Sequence, residues 1–175
     1  SGSHSADDGA YSVNRLDGAD SIMIHGINHV AISTADIERL SAFYMDLLGF
    51  EEVFRLNWDV GDKVLDSITG LKDSSARIIM LKCGNACIEL FEYETPPPRP
   101  VDPQRPVCDH GITHVCLQVT DIEDEYKRLE AAGMTFHCLP QQLGDLAATY
   151  GRDPDGNVIE LLQAPADSAV AVVAT

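Results

Sequence analysis

Along residues 26–32, Ile27, His29 and Ala31 alternate with Asn28, Val30 and Ile32, the two-residue period of a strand. From Ile37 the period changes. Ile37, Leu40, Phe43, Tyr44, Leu47 and Leu48 recur at helical spacing, after a start signal at Ser33-Thr34-Ala35-Asp36 and before a stop at Gly49. Strand patterns return over 50–55, 77–82 and 86–93, the last two joined by a Gly84-Asn85 hairpin turn. The predicted order is βαβββ.

The second half repeats that order. Residues 112–119 read as a strand with His114 on the face of Ile112 and Cys116. Thr120-x-x-Glu123 reads as a capping box, opening a helix that runs to Gly133 with Tyr126 and Leu129 inward. Strands follow over 134–138, 147–151 and 158–162, the last after the turn Asp153-Pro154-Asp155-Gly156-Asn157. At a constant offset of 85, residues 26–38 match residues 111–123 at seven of thirteen positions, so the two halves are copies of one unit.

The copies differ in length. His29 and Glu89 are 60 positions apart, His114 and Glu160 only 46, and the 14 extra residues fall within 56–76. That insertion reads as a long irregular loop around the single tryptophan, Trp58, either a lid or binding loop where a substrate is selected or a surface excursion with one packed tryptophan. The expected organisation is an N-terminal tail (1–24, in part a cloning remnant at Ser1-Gly2-Ser3-His4-Ser5), a first module (25–93), a proline-rich linker (94–109), a second module (110–163) and a C-terminal tail (164–175).

A hydrophobic content of 45% is enough for a packed core, and no apolar run approaches the ~20 residues of a membrane span. The formal net charge of −16 argues against nucleic acid and anionic membrane surfaces as partners. The five cysteines form no CxxC pair, which suits reduced thiols in the cytoplasm.

Chemistry enters through the repeat. Each half opens on a strand histidine (His29, His114) and closes on a strand glutamate (Glu89, Glu160) flanked by apolar residues. Glutamate between apolar strand residues is rare unless paired or metal-bound. Two imidazoles and two carboxylates suit a divalent first-row ion. One strand histidine alone is an ordinary packing residue; four ligand types at equivalent positions are the signal. Two other arrangements are weaker. His110-x-x-x-His114 lies on a turn into a strand, and Cys83-x-x-x-Cys87 with Cys108 and His110 lacks a second matched pair for zinc.

The motifs Gly-Ile-Asn-His-Val-Ala-Ile (26–32), Phe43-Tyr44 with Leu48-Gly49-Phe50, Gly-Ile-Thr-His-Val (111–115) and Asp-Pro-Asp-Gly-Asn-Val-Ile-Glu-Leu (153–161) resemble the vicinal oxygen chelate superfamily. Glyoxalase I, methylmalonyl-CoA epimerase, extradiol dioxygenases and antibiotic-resistance proteins belong to it. The resemblance implies an α+β fold, two tandem βαβββ modules forming a cupped eight-stranded mixed sheet around one divalent ion (Ni, Zn, Co, Mn or Fe). The ligands implied are His29, Glu89, His114 and Glu160. The four-ligand set is similar to that of glyoxalase I, an isomerase or lyase moving a proton α to a carbonyl through an enediolate. Glu160 is then the first candidate base and Glu89 the second. Trp58, Arg77, Tyr150 and Arg152 are candidate contacts to a small carbonyl or hydroxy-acid substrate. A glutathione or coenzyme A substrate would need basic contacts, from Arg55, Lys63, Lys72, Arg77, Lys82 or Arg152. The alternatives are an Fe(II) extradiol-type dioxygenase and a drug-sequestering binding protein. Relatives of this kind are commonly homodimers, with the site inside one chain or across the interface.

Overall fold

The computed structural model describes residues 24–172. Nearly all of the expected N-terminal tail, and the last three residues of the C-terminal one, lie outside the described residues. The first module comprises β1 (His29–Ser33), α1 (Ile37–Ala42), β2 (Glu51–Trp58), α2 (Lys63–Thr69), β3 (Ser75–Cys83) and β4 (Ala86–Thr95). The second comprises β5 (Val115–Gln118), α3 (Ile122–Ala131), β6 (Thr135–Phe136), β7 (Gln141–Leu143), β8 (Leu146–Arg152) and β9 (Val158–Gln163). Helix α1 continues into a π turn at Phe43–Leu47, and Gly49 ends it with φ of 74°.

Each module makes its own sheet, in the order β1-β4-β3-β2 and β5-β9-β8-β6, with β7 also on β8. The fold is α+β with the expected repeat, but the eight-stranded sheet of the sequence reading appears as two sheets. The first strand of each pairs in parallel with the last, β1 with β4 and β5 with β9. The extra strand in the second sheet is a strand broken in two. β6 and β7 both run antiparallel to β8, and the break at 137–140 contains Pro140, which has no N–H for the ladder.

Helix starts show what sequence patterns catch and what they miss. Asp36 caps α1 through its carboxylate and the Arg39 N–H, as the sequence predicts. The capping box at Thr120-x-x-Glu123 does not form. Asp121 takes a left-handed conformation (φ 53°) with no side-chain cap, and the helix begins at Ile122. Both helices are instead held by the last strand of their own module. The Ile37 N–H donates to Glu92 at 2.8 Å, and the Ile122 N–H to Gln163 at 2.7 Å. Glu92 and Gln163 each lie three residues beyond the repeat's glutamate, so this tertiary cap is duplicated with the sequence.

The insertion is not an irregular loop. Strand β2 runs on to Trp58, and α2 follows. The Asp62 carboxylate accepts from the Val64 and Leu65 N–H groups, and Gly70, at φ 68°, ends the helix. Trp58 is buried with Ala76 and Ile78, and Leu65 of α2 packs on that cluster.

One core serves both modules. Ile37, Leu40, Tyr44, Ile88 and Leu90 cluster with Ile122, Leu129, Ile159 and Leu161. Arg39 pairs with Asp155, and the Tyr44 hydroxyl donates to Asp153, across the module boundary. The linker is seated against the 153–157 turn. Gly156 is required there, because its φ is +88° and a Cβ would stand 2.2 Å from the Pro103 carbonyl oxygen.

Candidate metal centre

Side chains alternate along a strand, so residues 88 and 90 face one way and 87, 89, 91 and 93 the other. Ile88 and Leu90 enter the shared core, as do Ile159 and Leu161. Glu89 and Glu160 therefore project from the opposite face of their sheets, away from the core between the modules. The parallel registers bring each glutamate to its histidine: His29 stands opposite Cys87, and Cys116 opposite Glu160.

His29 Nε2 is 3.3 Å from Glu89 Oε2, and His114 Nε2 is 2.9 Å from Glu160 Oε2. Two ligands about 2.1 Å from a common ion are about 3.0 to 3.4 Å apart in octahedral or tetrahedral geometry, so each pair fits two positions of one divalent ion. The other ring nitrogen is also engaged in both copies. His29 Nδ1 is 2.9 Å from the Asn28 side-chain oxygen, and His114 Nδ1 is 2.8 Å from the Thr113 hydroxyl. An Nδ1–H donated in this way leaves the Nε2 lone pair for a metal. The sequence carries this signal as a polar residue before each histidine, a pattern with no meaning until the Nδ1 contacts are seen.

The two pairs do not meet. Among the described residues no group of three or more His, Cys, Asp or Glu side chains converges as a metal site. The four-ligand set of the sequence reading stands as two half-sets on outward faces, for the reason given by the core.

Glu160 opens onto a cavity of about 290 Å³ lined by His137, Cys138, Leu143, Ala148, Thr149 and Tyr150. Tyr150 is the register partner of Glu160 and lies with its ring centroid 4.9 Å from that of His114. Desolvation, then the Glu160 charge, raises its phenol above the usual value. Cys116 is exposed on the edge strand, yet its thiol is pushed up to about 12, first by desolvation and then by Glu160 beside it.

The other sequence candidates are placed elsewhere. Arg152 donates to the carbonyls of Pro103, Arg105 and Gly156, pinning the linker. Arg77 pairs with Glu38 and Glu92 on the core side of the first sheet. Trp58 shares the face of Glu89 at its far end, where its Nε1–H donates to Ser74 Oγ at 3.2 Å. Cys83 and Cys87 flank the β3–β4 turn without forming a zinc site.

A family profile described as Glyoxalase/Bleomycin resistance protein/Dioxygenase superfamily matches residues 26–161. The chain belongs to that superfamily. The chain is 30% identical to the Escherichia coli (strain K12) protein YaeR over 143 residues, covering 78% of this chain and 95% of YaeR. It is 29% identical to a 2-epi-5-epi-valiolone epimerase of Actinomyces sp over 148 residues, covering 80% of each chain. Among solved structures, a glyoxalase family protein from Bacillus cereus superposes with a TM-score of 0.72 at 23% identity, over 83% of this chain and 97% of that one. This superposition bears on the fold alone. The superfamily includes metal-dependent enzymes.

Proposed function

We propose that this protein is a divalent-metal-dependent isomerase of epimerase or glyoxalase type, moving a proton next to a carbonyl. The observation that carries the reading is the duplicated His–Glu pair, at 3.3 and 2.9 Å, each with its histidine oriented from Nδ1. The match to an epimerase along 80% of both chains supports it. A divalent ion held by His29, Glu89, His114 and Glu160 would supply Lewis acidity toward the substrate's oxygens.

The chain's own residues do the rest. Glu160, at the wall of the cavity, takes the proton from the carbon beside the carbonyl and returns it. Glu89 is the second carboxylate, returning the proton to the opposite face in an epimerisation. Tyr150 flanks His114 and lines the cavity. The two half-sets join in a homodimer, the first module of one copy facing the second module of the other. The edge strands β1 and β5 support this, with Ile27 and Ile112 before them 83% and 70% exposed. Cytoplasmic placement fits five cysteines without a disulfide.

The test combines metal and proton. Elemental analysis of the purified protein is expected to find bound divalent metal. Glu160→Gln is expected to abolish solvent-deuterium exchange into a turned-over substrate while the circular dichroism spectrum is kept. Retained exchange removes Glu160 as the base. Failure to take up Ni²⁺, Co²⁺, Mn²⁺, Fe²⁺ or Zn²⁺ sinks the metal reading.

A further inference from the structure

The first-module face that carries Glu89 is apolar and aromatic, and registers define its members. Phe54, Leu56 and Trp58 of β2 stand opposite Met80, Ile78 and Ala76 of β3, which stand opposite Glu89, Phe91 and Tyr93 of β4. Phe91 and Tyr93 are stacked, with centroids 5.5 Å apart and planes at 8°. Trp58 meets both edge-on, at 6.3 and 5.9 Å. Leu65 of α2 closes the far end. Phe54 and Leu56 remain 41% and 44% exposed on this face.

Charge is distributed oppositely. Arg55 and Arg77 lie on the other face of the sheet, tied to Glu38, Glu52 and Glu92. Lys63 is tied to Asp66 and Asp73. Lys82 is the cation of β3 on the Glu89 face. It stands opposite Cys87, on the side of Glu89 away from Phe91. Across β3 and β4, in the direction of β4, the order is therefore cation, carboxylate, aromatic rings. Same-face neighbours on a strand are about 6.8 Å apart, so Phe91 lies about one ring's length beyond Glu89. A phosphate-bearing or peptidyl carrier such as coenzyme A or glutathione finds no cation among the strand residues registered with Phe91 and Tyr93, while a flat apolar group finds ring edges and faces.

We propose that this face takes the ring of an aryl-substituted 2-hydroxy or 2-keto acid, with its oxygen-bearing end at Glu89 and its ring against Phe91 and Tyr93. The inference rests on the metal-dependent reading above. Substrate class is then set by the wall that Trp58 and the insertion helix brace, without Trp58 touching the ligand.

The experiment uses the full chain loaded with zinc, titrated calorimetrically with lactate, 3-phenyllactate and S-lactoylglutathione. The emission of the single tryptophan is followed alongside. Phenyllactate is expected to bind about tenfold tighter than lactate, the scale of one added aromatic contact, and to change Trp58 emission. Phe91→Leu, which keeps the apolar volume, is expected to bring the ratio toward one; Tyr93→Leu is the second variant should the first fail to fold. A protein that takes up zinc but binds lactate and phenyllactate equally, or prefers S-lactoylglutathione, overturns the proposal alone. A protein that takes up no zinc and binds neither acid overturns the metal-dependent reading, and the proposal with it.

Discussion

Asp153 concentrates several constraints in one side chain. Its carboxylate accepts from the N–H groups of Asp155 and Asn157, from the Asn157 amide and from the Tyr44 hydroxyl. It is 5% exposed, and burial raises its pKa above the usual carboxylate range. Burial, then the neighbouring Asp153, raises Tyr44 as well. Removing the carboxylate leaves buried donors unpaired, which costs about 1–3 kcal/mol for each such group. Asp153→Ala is accordingly expected to lose about 2–4 kcal/mol of unfolding free energy in urea; a loss below about 0.5 kcal/mol would contradict this account. The turn was legible as Asp-Pro-Asp-Gly-Asn, because its chemistry is local. The role of Arg152 was not. A charged residue near a proposed site reads as a ligand contact until its carbonyl partners, some 50 residues away in sequence, are known.

At the scale of elements, α2 depends on one buried acid. Asp66 accepts from the backbone and hydroxyl of Ser74 and from the Asp73 N–H. Those bonds, the Ser74 backbone first, hold its pKa below the usual value, with Lys63 adding to the shift. A carboxylate with a lowered folded pKa contributes stability above its unfolded pKa and loses that contribution as pH falls through the folded one. Ser74 also accepts from Trp58, so acidification below the usual carboxylate range is expected to shift Trp58 emission as α2 loosens. In Asp66→Asn the shift with pH should vanish. Emission that stays constant in the native protein down to global acid unfolding would refute the link. The sequence held this helix's signals, Asp62 at its start and Gly70 at its end. They were masked because Val64 and Ile68 point to solvent and break the amphipathic period. Strands were easier to find, because alternation against one core survives in both modules. The missed capping of α3 had a different cause, since Gln163 reaches it from another element.

At the scale of the molecule, the core-facing side of each sheet leaves both His–Glu pairs on outward faces. Each chain carries the His29–Glu89 pair on one sheet and the His114–Glu160 pair on the other, the two halves of the proposed site. Co-expressing His29→Ala and His114→Ala chains is expected to restore about a quarter of native metal content and activity. Half of randomly mixed dimers are heterodimers, and each has one of two sites intact. The separate variants should stay inactive. A mixture no better than either parent would place the whole site within one chain. The duplicated histidines and glutamates were readable from spacing. Their separation was not, because spacing says which face a residue shares and not which way two faces turn.

The duplication is also imperfect around the two glutamates. Opposite Glu160 stands Tyr150, while opposite Glu89 stands Met80; two residues beyond Glu89 is Phe91, and two beyond Glu160 is Leu162. A centre built from two equivalent pairs is nearly symmetric to an ion, which responds to charge and distance. To a flat molecule lying between the same walls it is not, since one side offers stacked rings and the other an open hollow. In the proposed centre the two faces of such a molecule would be distinguishable, and the repeat would thereby acquire handedness.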